Sequence, residues 1–315
     1  MAQSQGDKIQ FQGEIVANED VSAVAVFGDR LFLGADEGSQ IQVLKKIPES
    51  SAYQVVQNIA LPVPVEDKEI DLEGIAIANN TVYVVGSHSL NRKTIKSDLT
   101  YQENLKRIEK IEADPNRQGI YRLELDPDTA QPTTEITRES LSNIIKNNKI
   151  LETFTTIPSK ENGIDIEGIA IQEDKLYLGF RSPILRDNYV PVLIVKFEDI
   201  NQENSYQISY VNLNGNGIRD LTAVDEGFLI LAGAGGDGNS PYQLYLWDGK
   251  NNIPGKDKQL TTPKLLAEIP APPGAKAEGL TVIEETDSAY AILVVYDGIA
   301  NGNPTLFKVS KRASS

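Results

Sequence analysis

Cysteine is absent from this 315-residue chain, and histidine and methionine each occur once, at His88 and Met1. The absence of cysteine excludes disulfide bonds, thiolate nucleophiles and zinc–thiolate sites. A single histidine excludes a zinc site built from several histidines of one chain. Any Ser-His-Asp triad would have to use His88. Thiolate catalysis and a multi-histidine metal centre are therefore excluded.

Long apolar runs and excess positive charge are also missing. The longest apolar run, residues 289–296, is far shorter than the roughly 20 residues that span a bilayer, so the sequence predicts no membrane span. The net charge of -15 repels phosphate backbones, so we expect no nucleic-acid partner. The same acidity suits cations or cationic partners, or it serves only solubility.

The N-terminal residues and the composition give a weak indication of the cellular location. Residues 1–6 lack the basic and apolar regions of a signal peptide. The lack of cysteine and the near lack of methionine suit an exported protein. We therefore expect an exported or periplasmic bacterial protein slightly ahead of a cytoplasmic one.

A seven-residue acidic pattern recurs along the chain. It is clearest at residues 71–77 and 165–171, which read DLEGIAI and DIEGIAI. Weaker copies lie at residues 20–26, 218–224 and 276–282. This frame gives five equivalent positions, occupied by Ser22, Glu73, Glu167, Asp220 and Glu278. A repeat of this kind predicts a ring or array of similar structural units.

The spacing of the repeat predicts a β-propeller. The equivalent positions are separated by 51, 94, 53 and 58 residues, and about 50 residues suit one four-stranded blade with long loops. The interval of 94 holds one blade and an insertion at about 90–117, with a helix expected at 101–111. Residues 9–17 have no blade of their own and should complete the last one.

We therefore predict a single all-β domain over residues 1–315, a five-bladed propeller with four-stranded blades. Six blades, with a cryptic blade in the long interval, is the rival arrangement. In the second blade we expect the outer strand at 151–157 and a helix at 138–147. The helices of this blade either cover one face of the propeller or only decorate a loop.

The first residues of each innermost strand should surround one mouth of the central channel. The ends of the second strands, which carry Asp36 and Asp297 among others, reach the same face. Converging carboxylates suit a hard cation such as Ca²⁺, which takes several oxygen ligands. The candidate metal ligands are Asp71, Glu73, Asp165, Glu167, Asp220 and Glu278. The glycines that follow three of them, at 74, 168 and 279, should leave room where these strands crowd.

Basic residues beside these acids suggest an anionic ligand. Arg181 and Arg219 could hold a phosphate or carboxylate, and His88 could act as a ligand or general base. These three residues are the candidate catalytic groups. Alternatively, the acids bond backbone amides of the next blade and the arginines neutralise them in a closed ion-pair network. His88 would then be a hydrogen-bonding loop residue.

Several motifs resemble those of a bacterial propeller family catalogued as a domain of unknown function. They are DIEGIA at 165–170, GSHS at 86–89, GFRSP at 179–183 and RDL at 219–221. The resemblance spans nearly the whole chain. More remotely, the acidic pattern is similar to that of the phytase-like esterase propellers, which are grouped with calcium-dependent phosphate-ester hydrolysis. Ser22 and Lys276 depart from it, so a complete ring of carboxylates is missing.

Two functions follow as expectations. The first is a small-ligand site at the channel mouth, holding a divalent cation and a phosphate-type anion. As an enzyme, it would be a metal-dependent phosphoesterase using metal-activated water. The second is a non-catalytic recognition propeller that holds a protein partner through its loops or through the insertion at 90–117. A propeller fold alone does not decide between them.

Overall fold

Short strands of apolar and β-branched residues, separated by turns, are grouped by backbone hydrogen bonds into five blades around a central channel. The computed structural model describes residues 6–66, 68–236, 238 and 240–311. The five-bladed propeller predicted from the repeat is confirmed. Within the described residues, no helix is long and apolar enough to cross a membrane.

The strands follow the chain in blade order. The N-terminal segment contains β1 (Asp7–Lys8) and β2 (Gln10–Gln12). Blade one contains β3 (Val21–Phe27), β4 (Arg30–Ala35), β5 (Gln40–Lys46) and β6 (Ala52–Ala60). Blade two contains β7 (Leu72–Ala78), β8 (Thr81–Gly86), an inserted ribbon of β9 (Leu90–Arg92) and β10 (Ile111–Ala113), then β11 (Ile120–Glu124) and β12 (Thr137–Glu139).

In the part of the chain that the structure describes, the remaining blades carry no inserted strands. Blade three contains β13 (Asp165–Gln172), β14 (Lys175–Ser182), β15 (Tyr189–Val195) and β16 (Tyr206–Asn212). Blade four contains β17 (Gly217–Val224), β18 (Gly227–Gly233), β19 (Tyr242–Trp247) and β20 (Lys264–Ile269). Blade five contains β21 (Lys276–Glu285), β22 (Ala289–Asp297) and β23 (Thr305–Ser310).

Helices occupy the connections between strands. The α-helices are α1 (Tyr101–Glu109) and α2 (Ser142–Asn147). Short 3₁₀ helices lie at Pro115–Gln118, Leu151–Phe154, Ser159–Glu161, Arg186–Asn188, Phe197–Asp199 and Ala300–Gly302.

The N-terminal segment closes the ring across the seam between blades five and one. β1 pairs antiparallel with β23 and supplies the fourth strand of blade five. The closing strand thus lies just before the predicted range 9–17. Part of that range, β2, runs parallel to β6 instead and adds a fifth strand to blade one. Phe11 explains the crossing, because its side chain is buried in a cluster with Tyr53 of blade one.

The insertion in blade two is a β-ribbon that carries a helix. α1 lies within the predicted range and begins at a capping box, in which Thr100 and Glu103 satisfy each other's backbone amides. The predicted outer strand at 151–157 is wrong, because Leu151–Phe154 is helical and β12 supplies the outer strand. Leu151 is fully buried with residues of α2, which draws this segment into the helical layer.

The innermost strands β3, β7, β13, β17 and β21 each neighbour two others around the channel. Glycines permit this contact, as the sequence predicts. A Cβ atom at Gly168 would lie 2.9 Å from Asp220 Cα, and one at Gly279 would lie 3.0 Å from Val24 N. The backbones of adjacent blades therefore approach closely just where the acidic pattern begins.

Candidate functional site at the channel mouth

A β-bulge recurs at the start of every innermost strand. Near the start of each innermost strand, one of its residues is skipped in the pairing with the second strand. The skipped residues are Ser22, Glu73, Glu167, Arg219 and Glu278. A bulge re-aims a side chain and interrupts regular pairing, so these five positions are structurally equivalent. We call them the mouth ring.

The ring corrects the sequence alignment by one residue in blade four. Arg219, not Asp220, occupies the position of the glutamates. Asp220 instead corresponds to Gly168 and Gly279, and its carboxylate accepts hydrogen bonds from Leu221 N at 2.7 Å and Leu280 N at 2.6 Å. The structure therefore places Asp220 between blades four and five as a bond to the backbone, apart from the carboxylates of the ring.

Two arginines bridge the carboxylates of blades three and five. Arg219 contacts Glu278 and lies 3.0 Å from Glu167 Oε2. Arg181, at the end of β14, contacts Asp165 and lies 2.7 Å from Glu167 Oε1. The ion-pair network that the sequence left open as an alternative is thus present on this side of the ring.

Asp71 lies in a second, smaller network. Its Oδ2 atom is 2.9 Å from Arg117 Nη1 and accepts a hydrogen bond from Ser87. Asp71 also adopts a left-handed backbone conformation, with φ of 57°. The insertion therefore ends at a residue, Arg117, that is bonded to the channel mouth.

Among the described residues, no arginine pairs with the ring residue of blade one. Ser22 is the ring residue there, and its hydroxyl donates to Leu72 O. Ser22 therefore leaves a gap in the ring of charged residues, and Asp36, Glu278 and Asp297 lie around it. Each of these three residues has one carboxyl oxygen within 4.8 Å of an oxygen of the other two. Asp36 directly follows β4, and Asp297 is the last residue of β22. The sequence places both at this face, but they are not among the predicted metal ligands.

Two groups of three acids could thus hold a metal ion. The second group comprises Glu73, Asp165 and Glu167, with the same spacing limit of 4.8 Å. Glu73 forms no ion pair or hydrogen bond with any described residue. Oε2 of Glu278 and Oδ1 of Asp36 are buried without a hydrogen-bond partner among the described residues. Free carboxylate oxygens are what a hard cation requires.

Negative charge exceeds positive charge at the mouth. Seven carboxyl groups form what we call the mouth cluster: Asp36, Asp71, Glu73, Asp165, Glu167, Glu278 and Asp297. In the described part of the chain, salt bridges join four cationic side chains to this cluster: Arg117, Arg181, Arg219 and Lys276. Three carboxyl groups are therefore left without a balancing charge.

Burial, reinforced by the excess negative charge, raises the pKa values of several acids in the mouth cluster. Burial raises the pKa of Asp36 well above its ordinary value, and the charges of Glu278 and Asp71 add to this effect. Burial likewise raises the pKa of Glu73, helped by the charge of Asp36. Burial also raises the pKa of Glu167 to about 8, against the opposing effect of its two arginines. A bound cation would relieve this repulsion.

A cavity of about 500 Å³ opens beside the cluster. Its walls include four basic side chains, Lys160, Arg181, Arg219 and Lys276, together with Ser240 and Tyr242. The glycine-rich loop at 233–240 forms one side; Asp237 and Asn239 of this loop lie outside the described residues. The Nε atoms of Arg181 and Arg219 are buried without a hydrogen-bond partner among the described residues.

His88 lies away from this basic cavity and contacts backbone atoms. Its Nδ1 is 2.9 Å from Gly86 O, and its Nε2 accepts a hydrogen bond of 3.1 Å from Leu141 N. Burial lowers the pKa of His88 to about 4, so the ring is neutral at pH 7. Both nitrogens are thus engaged in joining the start of the insertion to the residue before α2.

Comparison with known protein families identifies the family of this chain. The model of the family described as "Protein of unknown function (DUF3616)" matches residues 20–305. The chain belongs to this family. No curated protein matches the sequence.

Several solved structures match most of the chain at very low sequence identity. Glutaminyl cyclase from Myxococcus xanthus is 12% identical, with 97% of this chain and 93% of that chain covered and a TM-score of 0.46. A GH43 β-1,3-galactosidase with galactodeoxynojirimycin is 10% identical, with 98% and 94% covered and a TM-score of 0.47. A PQQ-bound aldose sugar dehydrogenase from Streptomyces coelicolor is 10% identical, with 96% of each chain covered and a TM-score of 0.43. All three TM-scores are below 0.5, so the function of this chain is inferred from its own site.

Proposed function

We propose that the channel mouth binds a divalent cation together with a small anionic ligand of the phosphate type. One observation carries this proposal: buried carboxylates in excess, some with unpartnered oxygens, lie directly beside a cavity with basic walls. A closed ion-pair network by itself would leave neither the excess charge nor the unpartnered oxygens. Two ligands of opposite charge account for both.

Glu73, Asp165 and Glu167 would hold the cation. Glu73 contributes a carboxylate that has no other partner in the described residues, and Asp165 and Glu167 retain lone pairs beyond those used by Arg181. Oxygen ligands alone favour Ca²⁺, with Mg²⁺ and Mn²⁺ as the other hard cations.

Arg181 and Arg219 would hold the anion from the side of the cavity. Each has a buried Nε–H with no acceptor among the described residues, while its terminal nitrogens contact carboxylates. A phosphate oxygen is a suitable acceptor for a guanidinium donor. Lys276 lies on the same wall and adds positive charge.

Phosphoester hydrolysis is the reaction that this arrangement suits. A bound divalent cation would lower the pKa of a coordinated water and polarise the phosphoryl group. The water oxygen would attack phosphorus, and the alcohol would leave with a proton. The arginines would stabilise the charge that develops on the phosphoryl oxygens. His88 has no part in this scheme, because both its nitrogens bond the backbone.

Cation binding should raise the stability of EDTA-stripped protein. A cation that binds only the folded state adds about 2.7 kcal/mol to the free energy of unfolding at 100 times its dissociation constant. We expect thermal unfolding to show this rise with millimolar Ca²⁺, Mg²⁺ or Mn²⁺. We expect Glu73→Gln to weaken the affinity for the cation at least tenfold and so to reduce the rise. Glu73→Gln breaks no ion pair, so the variant should fold normally.

Glu109→Gln, an exposed change on α1, is the matched control and should respond like the natural chain. Inorganic phosphate should then bind only in the presence of the cation, and 4-nitrophenyl phosphate should be hydrolysed. If no ion shifts the melting curve, the cation proposal is wrong. If cation and phosphate bind without hydrolysis, only the enzymatic part is wrong.

A recognition function has one specific observation in its favour. Five of the ten large apolar side chains that are exposed in the described residues lie in the insertion: Ile95, Tyr101, Leu105, Ile108 and Ile111. Three of them lie along one side of α1, at positions 101, 105 and 108. A capped helix with an uncovered apolar side is suited to contact a protein partner.

Shortening the insertion should separate the two functions. Replacing residues 94–109 by a short glycine–serine linker keeps the β9–β10 ribbon and the Arg117–Asp71 contact. We expect this variant to retain the cation response of the natural chain. If the chain is a recognition protein, the immobilised variant should no longer capture its partner. A lost cation response would instead make the helix part of the mouth site.

A further inference from the structure

The gap in the mouth ring at Ser22 is bordered by the carboxyl groups of Asp36, Glu278 and Asp297. We infer that these three residues bind a second divalent cation, at the seam between blades one and five. Asp36 and Asp297 are not part of the repeated acidic pattern; they come from the ends of β4 and β22. The inference rests on the proposed function only in taking the mouth to bind divalent cations.

Unpartnered oxygens identify this group as a ligand site. Glu278 is only 5% exposed, and its Oε1 is taken by Arg219. Its Oε2 is buried and has no hydrogen-bond partner in the described part of the chain, and the same holds for Oδ1 of Asp36. A buried carboxylate oxygen without a partner has lost its hydration and gains no interaction that compensates for this cost in free energy. A cation between these oxygens would supply the missing interaction.

The space for the cation comes from the small ring residue. Ser22 stands where blades two, three and five carry glutamate, and its hydroxyl turns away to Leu72 O. A glutamate at this position would bring a further carboxylate into the gap. Because Ser22 is smaller than the glutamate of the other blades, it leaves room for a cation next to Asp36 and Glu278.

Two positive side chains adjoin the site without filling it. Arg219 uses Oε1 of Glu278 and continues to Glu167 on the far side. Lys276 contacts Oδ2 of Asp297, but its side chain is 51% exposed and can turn toward solvent. A divalent ion held by three carboxylates is a stronger counter-charge for the group than one half-exposed ammonium.

The two cation sites use different residues of one charged cluster. One lies at Glu73, Asp165 and Glu167, and the other at Asp36, Glu278 and Asp297. Three unbalanced carboxylates, two divalent cations and a phosphate dianion together leave the mouth close to neutral.

Counting bound Mn²⁺ tests the inference directly. We expect equilibrium dialysis of EDTA-stripped protein to give two Mn²⁺ per chain at saturation. Asp36→Asn should bind one Mn²⁺ at the concentration that saturates the natural chain, with at least tenfold weaker binding of the other. Glu73→Gln should also bind one, and the double variant none. Asp36→Asn breaks no ion pair among the described residues and removes one repelling charge, so its apo melting temperature should not fall.

The other outcomes separate the second site from the proposed function. One Mn²⁺ in the natural chain that Asp36→Asn retains and Glu73→Gln loses would overturn the second site and leave the first. One Mn²⁺ that either substitution abolishes would mean a single shared site, which also overturns it. No bound Mn²⁺ would overturn both proposals. Asp297→Asn provides an independent variant and should reproduce the loss of one ion.

Discussion

Replacing Arg219 by alanine should lower the free energy of unfolding by about 3–5 kcal/mol, the usual cost of removing one partner from a buried ion pair. Arg219 is 3% exposed and lies between Glu167 and Glu278, both of which are buried. Without it, two carboxylates of the mouth ring lose their shared counter-charge. Urea denaturation of EDTA-stripped protein at pH 7 would measure the loss.

Arg122→Ala is the matched control for Arg219→Ala. Arg122 also pairs with two carboxylates, Glu124 and Glu198, but all three side chains are solvent-exposed or half-exposed. Exposed ion pairs contribute about 0–1 kcal/mol, so we expect a loss in that range. If both variants lost the same small amount, the ring carboxylates would not depend on Arg219 for compensation, contrary to the charge balance described above.

Replacing Asp220 by alanine should also destabilise the protein strongly. The substitution leaves Leu221 N and Leu280 N without their acceptor, and each buried, unpaired amide costs about 1–3 kcal/mol. We therefore expect a loss of about 2–6 kcal/mol in urea denaturation. Asp220→Asn should lose less, because the amide oxygen can still accept one of these hydrogen bonds.

The Mn²⁺ stoichiometry of Asp220→Asn should equal that of the natural chain. This expectation separates Asp220 from the acids that the acidic pattern groups with it. If the folded variant bound fewer Mn²⁺ ions, Asp220 would be a metal ligand. Its assignment as a hydrogen-bond acceptor between blades would then be wrong. Circular dichroism of the same sample would show whether the variant is folded.

The repeat was sufficient to predict the propeller and most of the ring. Glu73, Glu167 and Glu278 hold equivalent positions, as the pattern indicates, because a bulge recurs at the same point in three acidic blades. Blade four shows the limit of the pattern. Its Arg219-Asp220 pair fits the frame in either of two registers, and only the pairing of β17 with β18 decides between them.

Residues outside the repeat could not be assigned from periodicity. Asp36 and Asp297 follow second strands, where the sequence places them on the correct face but gives no measure of their distance from Glu278. The segment 151–157 reads as a strand because its apolar residues suit one. It is helical because Leu151 packs against α2, a contact that depends on tertiary structure. His88 likewise reads as a candidate base until Leu141 is seen to occupy its Nε2.

The pairing of β1 with β23 determines which contact of the ring can form last. Asp7 pairs with Leu306, so the fourth strand of blade five precedes all five blades in the chain, and its partner is the last strand of the ring. Such a contact between distant parts of the sequence forms late, since the loop it closes includes almost the whole propeller. During synthesis the blades must therefore stand as an open arc, and the carboxylates of Asp36 and Asp297 meet only when that arc closes.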